Sequence, residues 1–520
     1  MACTVVWFKR DLRLHDHAPL HAAAQRGPVL CLYLIEPGLW SQPDAATQHY
    51  HFALEGLRDL RGELRALGAE LLVRVGEATE VLADLHARLG FDALHAHQET
   101  GNSWTYARDL AVARWCRQHQ VAWREWPAFG VVRRLHSRDR WQRQWEALMA
   151  APLLPRPAPA WAVLPLGSDT PPPATALGLD PWDPPLRQRG GRAHGLAVLD
   201  DFLQDRCAQY RGGISSPLTA PTACSRLSPY LAQGSLGLRE VVQATRARIA
   251  SLPPAASRQR QGLTAFLSRL VWHCHFIQKL ETEPELEWRN LHRGYDGLRE
   301  AEGNPAHLQA LCAGRTGWPM VDACVAMLQQ TGWLNFRMRA MLVSVAAYPL
   351  WLHWREVGLW LARQFLDYEP GIHWSQMQMQ SGTTGINATR VYNPLKQAQD
   401  HDPHGHFVRH WLPAMQQVPQ SWLFEPWRMP ASVQAHHGVR VGVELPQPLV
   451  ALEAATRQAK SRLYAVRTQP QVRAARADIV QRHGSRKGMP GRTQEPGRDD
   501  TPTARRGPVS SVSPQLSWDF

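Results

Sequence analysis

Thr4-Val-Val-Trp-Phe8 is a short apolar run, and the residues that follow it, Lys9-Arg-Asp-Leu-Arg13, are all charged but Leu12. Such a run, closed by polar residues, reads as a buried strand. Four more candidates follow: Val29-Leu-Cys-Leu-Tyr-Leu34, Glu70-Leu-Leu-Val-Arg-Val75, Ala93-Leu-His-Ala96 and Val121-Ala-Trp123. Helical patterns fill the gaps. Between Leu54 and Leu67 the apolar residues fall at 57, 60, 64 and 67, and Gly68 stands where a helix C-cap belongs. Two further helical patterns lie near 79–89 and 104–119. Strand alternating with helix predicts a parallel, doubly wound α/β sheet over about residues 1–130, with ligands beyond the carboxyl ends of the strands. No G-x-G-x-x-G follows the first strand, so a standard dinucleotide grip is not encoded there.

Beyond this sheet the pattern changes. Residues 151–195 are rich in proline, including Pro171-Pro-Pro173 and Pro184-Pro185, and read as a connector. From Leu196 to Arg486 strand signals are rare and helical patterns dominate. After Lys487 the chain is rich in Gly, Pro, Ser, Thr and Arg and is expected to be disordered. The expected division is an α/β domain over 1–135, a linker over 136–195, a larger all-helical domain over 196–487 and a tail over 488–520.

The 520 residues include 58 Lys+Arg against 45 Asp+Glu, a formal charge of +13 that suits a polyanionic partner. With 22 tryptophans, stacking or electron-transfer chemistry is worth seeking. The 8 cysteines form no C-x-x-C, which argues against a disulfide framework or zinc knuckle. An Fe–S cluster built from the cysteines of the second half stays open; no metal is expected. The first residues hold no apolar segment before their charges, and the longest apolar run, Ala340 to Leu352, is broken by Pro349. The expectation is a cytoplasmic, reduced protein without membrane contact. Its oligomeric state is not legible, with a monomer as the default.

Three clusters carry chemistry. Ser225-Arg-Leu-Ser228, with Tyr210 upstream, joins hydroxyls and an arginine at a helix start, a plausible phosphate cradle. The plainer alternative makes Ser225 an ordinary N-cap and turns Arg226 to solvent. Gly314-Arg-Thr-Gly-Trp-Pro-Met-Val-Asp-Ala323 and Thr331-Gly-Trp-Leu-Asn-Phe-Arg-Met-Arg339 place arginines beside an apolar helix, where a buried one needs an anionic partner. The stretch from Asp367 to Gly385, followed by Arg390-Val-Tyr-Asn-Pro394, lacks any regular period and reads as a structured loop lining a site. Asp367 is the candidate partner for Arg339. The alternative for the Met377-Gln-Met379 stripe is simple core packing.

Together these clusters resemble the photolyase/cryptochrome family over roughly residues 3–480. Trp7-Phe-Lys-Arg-Asp-Leu-Arg-Leu-His-Asp16, Ser-Arg-Leu-Ser at 225–228, Trp354-Arg-Glu, Tyr392-Asn-Pro394, His404-Gly-His-Phe-Val-Arg-His-Trp-Leu-Pro413 and Glu425-Pro-Trp427 carry the likeness. The resemblance implies an α/β antenna domain and a helical domain holding FAD. By matched position it implies that Tyr210, Ser225, Arg226, Leu227 and Ser228 hold the phosphates, that Arg339 and Asp367 pair beside the flavin ring, and that His373 faces it. A second chromophore, of folate or deazaflavin type, is a further expectation.

The departures are specific. Of the family's three electron-supplying tryptophans only the middle one matches, at Trp354; the others fall at Met377 and Ala301. Trp374, Trp351, Trp360 and Trp333 are the local substitutes, with Trp374 first. Trp272 matches the lesion-stacking tryptophan, but the usual carboxylate before it is Arg269, and Asn335-Phe336 fits neither lesion-specific pattern. The expected function is light-driven repair of pyrimidine lesions in damaged DNA, as in a deoxyribodipyrimidine photo-lyase. A cryptochrome-like blue-light photoreceptor without repair is the alternative. Binding of nucleic acid with a merely structural flavin is a weaker third.

Overall fold

A computed structural model describes residues 3–157, 160–161, 166–386 and 391–484. Arg390, parts of the proline-rich connector and the expected tail lie outside the described residues. The five expected strands are present: β1 (Thr4–Phe8), β2 (Val29–Ile35), β3 (Leu71–Val75), β4 (Ala93–His97) and β5 (Ala122–Trp126). All pairings are parallel, in the order β3-β2-β1-β4-β5. Helices α1 (Ala18–Ala24), α2 (Thr47–Ala66), α3 (Ala78–Leu89) and α4 (Ser103–Gln118) connect them. Gly68 has φ of 77°, the left-handed geometry that ends α2 without a Cβ penalty.

Alternation along β1 explains the two layers. Val6 and Phe8 enter one core with Tyr50, Leu57 and Leu64 of α2. Val5 and Trp7 enter the other with Leu82 and Leu85 of α3 and Val112 and Trp115 of α4. A strand covered on both faces must be apolar at every position, as β1 is.

The charged residues after β1 hold the molecule together. Lys9 Nζ donates to Asp109 at 3.0 Å. Arg10 reaches into the helical part, to the Ala232 carbonyl at 2.8 Å and Glu369 at 2.7 Å. Arg13 donates to the Gly234 carbonyl at 3.0 Å. Gly234, with φ of 66°, lies so close to Arg10 that a Cβ there would stand 2.1 Å from the Arg10 carbonyl oxygen.

The remainder of the described chain is helical apart from isolated bridges. Its main site-bearing helices are α5 (Ser228–Ala232), α6 (Ser257–Thr282), α7 (Phe336–Ala347), α8 (Trp354–Gln364), α9 (Pro370–Ser381) and α10 (Leu452–Arg467). Two expectations need correction. The stretch after Asp367 is no irregular loop: Pro370 opens α9, and this helix is buried on so many sides that no amphipathic period survives in its sequence. Ser225 caps no helix either, since α5 begins at Ser228. The expected boundary at 195/196 falls inside a helix, Arg192–Asp201. Cysteines of the second half divide between two cores, Cys207 and Cys274 in one, Cys324 with Cys224 and Cys312 in the other. Among the described residues no helix is long and apolar enough to cross a membrane.

Candidate functional site

Between α5, α6, α7 and α9 lies an open cleft of about 1190 Å³. Tyr210, Ser225, Arg226, Leu227, Ser228, Arg269, Trp272, Arg339 and Asp367, far apart in sequence, all line it. It shares Ser228, His273, Arg339, Asp367 and Gln376 with an adjoining lobe of about 740 Å³, whose wall also includes His373 and Met377.

Asp367 anchors the junction of the two lobes. Its oxygens receive Arg339 Nη1 at 2.9 Å and Nη2 at 3.0 Å, and Ser228 Oγ donates to it at 2.6 Å. Burial alone would raise this carboxyl, yet Arg339 and Ser228 outweigh burial and hold it below the usual carboxylate range. Arg339 is further fixed by donating Nε to the Leu334 carbonyl at 2.6 Å and by packing over Phe365.

Arg226 does not point idly to solvent. Its backbone takes φ of 61°, uncommon for a residue with a side chain. Its guanidinium lies 4.0 Å from the ring centre of Trp333 and donates Nε to Gln188 Oε1 at 3.0 Å. Burial pushes this guanidinium down to about 10. A cation placed like this, with no carboxylate among the described residues in hydrogen-bond contact, favours an anion in the cleft.

The α6 side of the lining is aromatic. On α6, Trp272 stacks on Phe276 at 5.7 Å and meets His275 edge-on at 4.9 Å, while Arg269 lies one turn earlier. Two histidines of the wall are neutral: burial lowers both His273 and His373 to about 4. His373 Nε2 donates to the Gly358 carbonyl at 2.9 Å.

The model of the DNA photolyase family matches residues 4–132, and that of the FAD binding domain of DNA photolyase matches residues 266–465. A cryptochrome DASH of Gloeobacter violaceus is 30% identical, over 86% of this chain and 93% of its own length. The chain belongs to the photolyase/cryptochrome family. A deoxyribodipyrimidine photo-lyase of Vibrio cholerae is 28% identical over 82% of this chain and 93% of its own. In fold, the chain matches a Synechocystis cryptochrome with a TM-score of 0.80 at 22% identity, over 89% of this chain and 99% of the other.

Against the family pattern, the catalytic candidates separate. Trp272 and Arg269 line the cleft, whereas Trp354 and Trp374 stand behind it in the core. Trp360 borders a different crevice, with Trp40 and Trp182. Trp333, a candidate electron donor, serves as the platform for Arg226. His273, Gln376 and Gln188 escaped the sequence reading. The first two sit on helices between conspicuous neighbours, and Gln188 reaches in from the connector.

A second cavity, of about 870 Å³, opens at the carboxyl ends of the strands, where the strand order reverses between β1 and β4. Lys9, Glu36, Glu99, Arg108, Trp40 and Tyr368 are among its walls. Arg108 is held there by Glu36, Glu99 and Asp109 at 2.9, 2.6 and 2.8 Å. Burial raises Glu36 to about 7. Close by, Asp11 Oδ2 meets His17 Nε2 at 2.9 Å and His97 Nδ1 at 2.6 Å, a grouping with metal-ligand composition. His17 Nδ1 already accepts the Leu20 N–H, so its Nε2 carries the proton. The trio is therefore a buried hydrogen-bond network that ties β1, α1 and β4.

Proposed function

We propose that this chain holds FAD in the two-lobed cleft and repairs pyrimidine lesions in damaged DNA under light, the activity of a deoxyribodipyrimidine photo-lyase. One observation carries the reading: a single cavity is lined both by the cationic and hydroxyl-bearing Arg226, Ser225 and Ser228 and by the aromatic ring of Trp272. The buried Arg226, offset only in part by the longer-range attraction of Asp367, fits a phosphate-bearing ligand. When bound, the flavin supplies one-electron chemistry on excitation.

The protein's own residues do the rest. Tyr210, Ser225, Arg226, Leu227 and Ser228 hold the phosphates. Arg339 and Asp367 present a fixed, mutually neutralised pair at the junction of the lobes, and His373 closes the inner lobe as a neutral ring. Trp272 offers a stacking face for a base turned out of the duplex, and Arg269 a cation for the lesion carbonyls or an adjacent phosphate. The net charge of +13 supplies salt-dependent attraction to DNA. In this reading residues 1–135 are the antenna-type domain, 136–195 the linker and 196–487 the FAD-binding domain. The switch-point cavity takes the antenna chromophore, of folate or deazaflavin type.

The cryptochrome-like reading, with the same flavin and no repair, draws support from Phe336. It lines the cleft where a polar group would contact a lesion. The deciding experiment loads the protein with FAD, confirms the released cofactor, and competes damaged against undamaged oligonucleotides. Preference for the damaged strand supports repair; equal binding supports the photoreceptor.

A further inference from the structure

Behind the inner lobe an aromatic ladder runs into the core. Tyr368 and His373, both in the lobe wall, have ring centres 5.2 Å apart. His373 and Trp374 are 4.9 Å apart, and Trp374 and Trp354 are 5.9 Å apart in an edge-to-face contact. Trp374 and Trp354 are 0% and 1% exposed, so neither meets solvent. Besides Trp374, the ring contact of Trp354 among the described residues is His353, at 5.2 Å.

The outer end of this ladder is closed in two ways. Trp354 Nε1 donates to Asn290 Oδ1 at 2.8 Å, and Asn290 is oriented by giving its own Nδ2 hydrogen to Asp296 at 2.8 Å. An amide carbonyl accepts a hydrogen bond but takes no proton at neutral pH. The next tryptophan along the chain, Trp351, lies between two guanidinium groups, Arg299 at 4.5 Å and Arg462 at 4.6 Å from its ring centre. Arg462 is paired with Glu302 at 2.6 Å. Arg299 is buried and donates to the Ser381 carbonyl, and its charge is offset only in part, by the neighbouring Glu300. A positive hole on Trp351 would be repelled at close range by this charge.

We infer that Trp374 and Trp354 form a two-membered electron relay into the cleft that ends in the core, so that light by itself does not accumulate reduced flavin in this protein. The inference rests on the FAD reading above. Its balance is simple. After a flash, one electron leaves the Trp374 indole for the excited, oxidised flavin, and Trp354 refills Trp374. The hole then sits on Trp354 with its N–H proton retained. The electron returns from the flavin to Trp354, and nothing is consumed. Net reduction falls to a soluble reductant, such as a thiol, acting on the flavin itself.

Flash photolysis of the FAD-loaded protein without added reductant tests this. The wild type should give a protonated tryptophan cation radical that decays fully together with the flavin signal. Trp354→Phe should lose the slowly decaying component, and Trp351→Phe should keep it. Ala301→Trp places an indole on the exposed segment beside Glu300, whose carboxylate is 3.7 Å from His353. It should gain flavin that stays reduced after the flash. A deprotonated tryptophan radical in the wild type, or loss of the slow component in Trp351→Phe, would overturn the closed relay. Absence of bound flavin, read from the absorbance before any flash, would instead overturn the FAD reading.

Discussion

Arg339 and Asp367 meet through both ends of their side chains, Nη1 to Oδ1 at 2.9 Å and Nη2 to Oδ2 at 3.0 Å, at the point where the two lobes of the cleft join. Two parallel bonds fix orientation as well as distance. Replacing Asp367 by Asn keeps the shape and leaves the Arg339 charge unmatched. Breaking a buried pair by removing one partner costs roughly 3–5 kcal/mol. We expect Asp367→Asn to lower the urea midpoint by a corresponding amount and to release flavin. A midpoint within error of the wild type would show the pair to be dispensable.

Arg226 separates backbone strain from ligand binding. Its φ of 61° suits glycine, so Arg226→Gly relieves strain of about 1 kcal/mol. It also deletes the cation stacked on Trp333. Thermal unfolding of the flavin-free variant should be close to that of wild type, while its affinity for FAD falls. Retained affinity would remove Arg226 from the phosphate wall.

Acid should destabilise the fold through its buried histidines, although Glu36, raised to about 7, and Asp322, raised to about 6, hold protons in the folded state over part of the same range and offset some of the loss. Burial lowers His95, His273 and His373 to about 4, and His97 and His483 to about 3, from an ordinary 6.5. Between those values the unfolded chain binds protons that the folded chain refuses, so stability falls as pH drops from 6.5 toward 4. The depressed carboxyls of Asp11 and Asp367 add a further loss at lower pH, as each passes through its folded value. Denaturation midpoints measured from pH 7 to pH 4 should decline steadily. His97→Asn, which removes one of these protonations, should flatten the slope.

Much of the α/β domain was legible because β1, β2 and β4 are largely apolar runs buried along their whole length; β3 and β5, at the sheet edges, carry charged residues and are less covered. Arg339 and Asp367 were legible as halves of a pair because a buried arginine demands a carboxylate. α9 was not, since a helix buried around most of its surface shows no stripe. Gln376 was lost with it, and His273, on α6 next to Trp272, was passed over for a related reason: a residue's approach to a cavity is set by helix packing, which the local sequence does not encode. Arg226 was ambiguous for another reason. Only the turn geometry, and Gln188 arriving from the connector, distinguish a held arginine from a solvated one.

Trp272 should set the preference for a damaged strand. Base–aromatic stacking contributes about 1–3 kcal/mol per base. Trp272→Ala should lose most of the discrimination between damaged and undamaged oligonucleotides and leave affinity for undamaged DNA nearly unchanged. An equal drop on both would make it a general DNA contact.

The most direct measurement follows lesion content in an oligonucleotide incubated with FAD-loaded, chemically reduced protein, in blue light and in darkness. The account predicts that a pyrimidine lesion returns to intact bases only in the light, with Trp272→Ala much slower at limiting DNA. Unchanged lesion content in the light, for both cyclobutane and (6-4) substrates and with the flavin verified as bound and reduced, would contradict repair and leave the photoreceptor reading in its place.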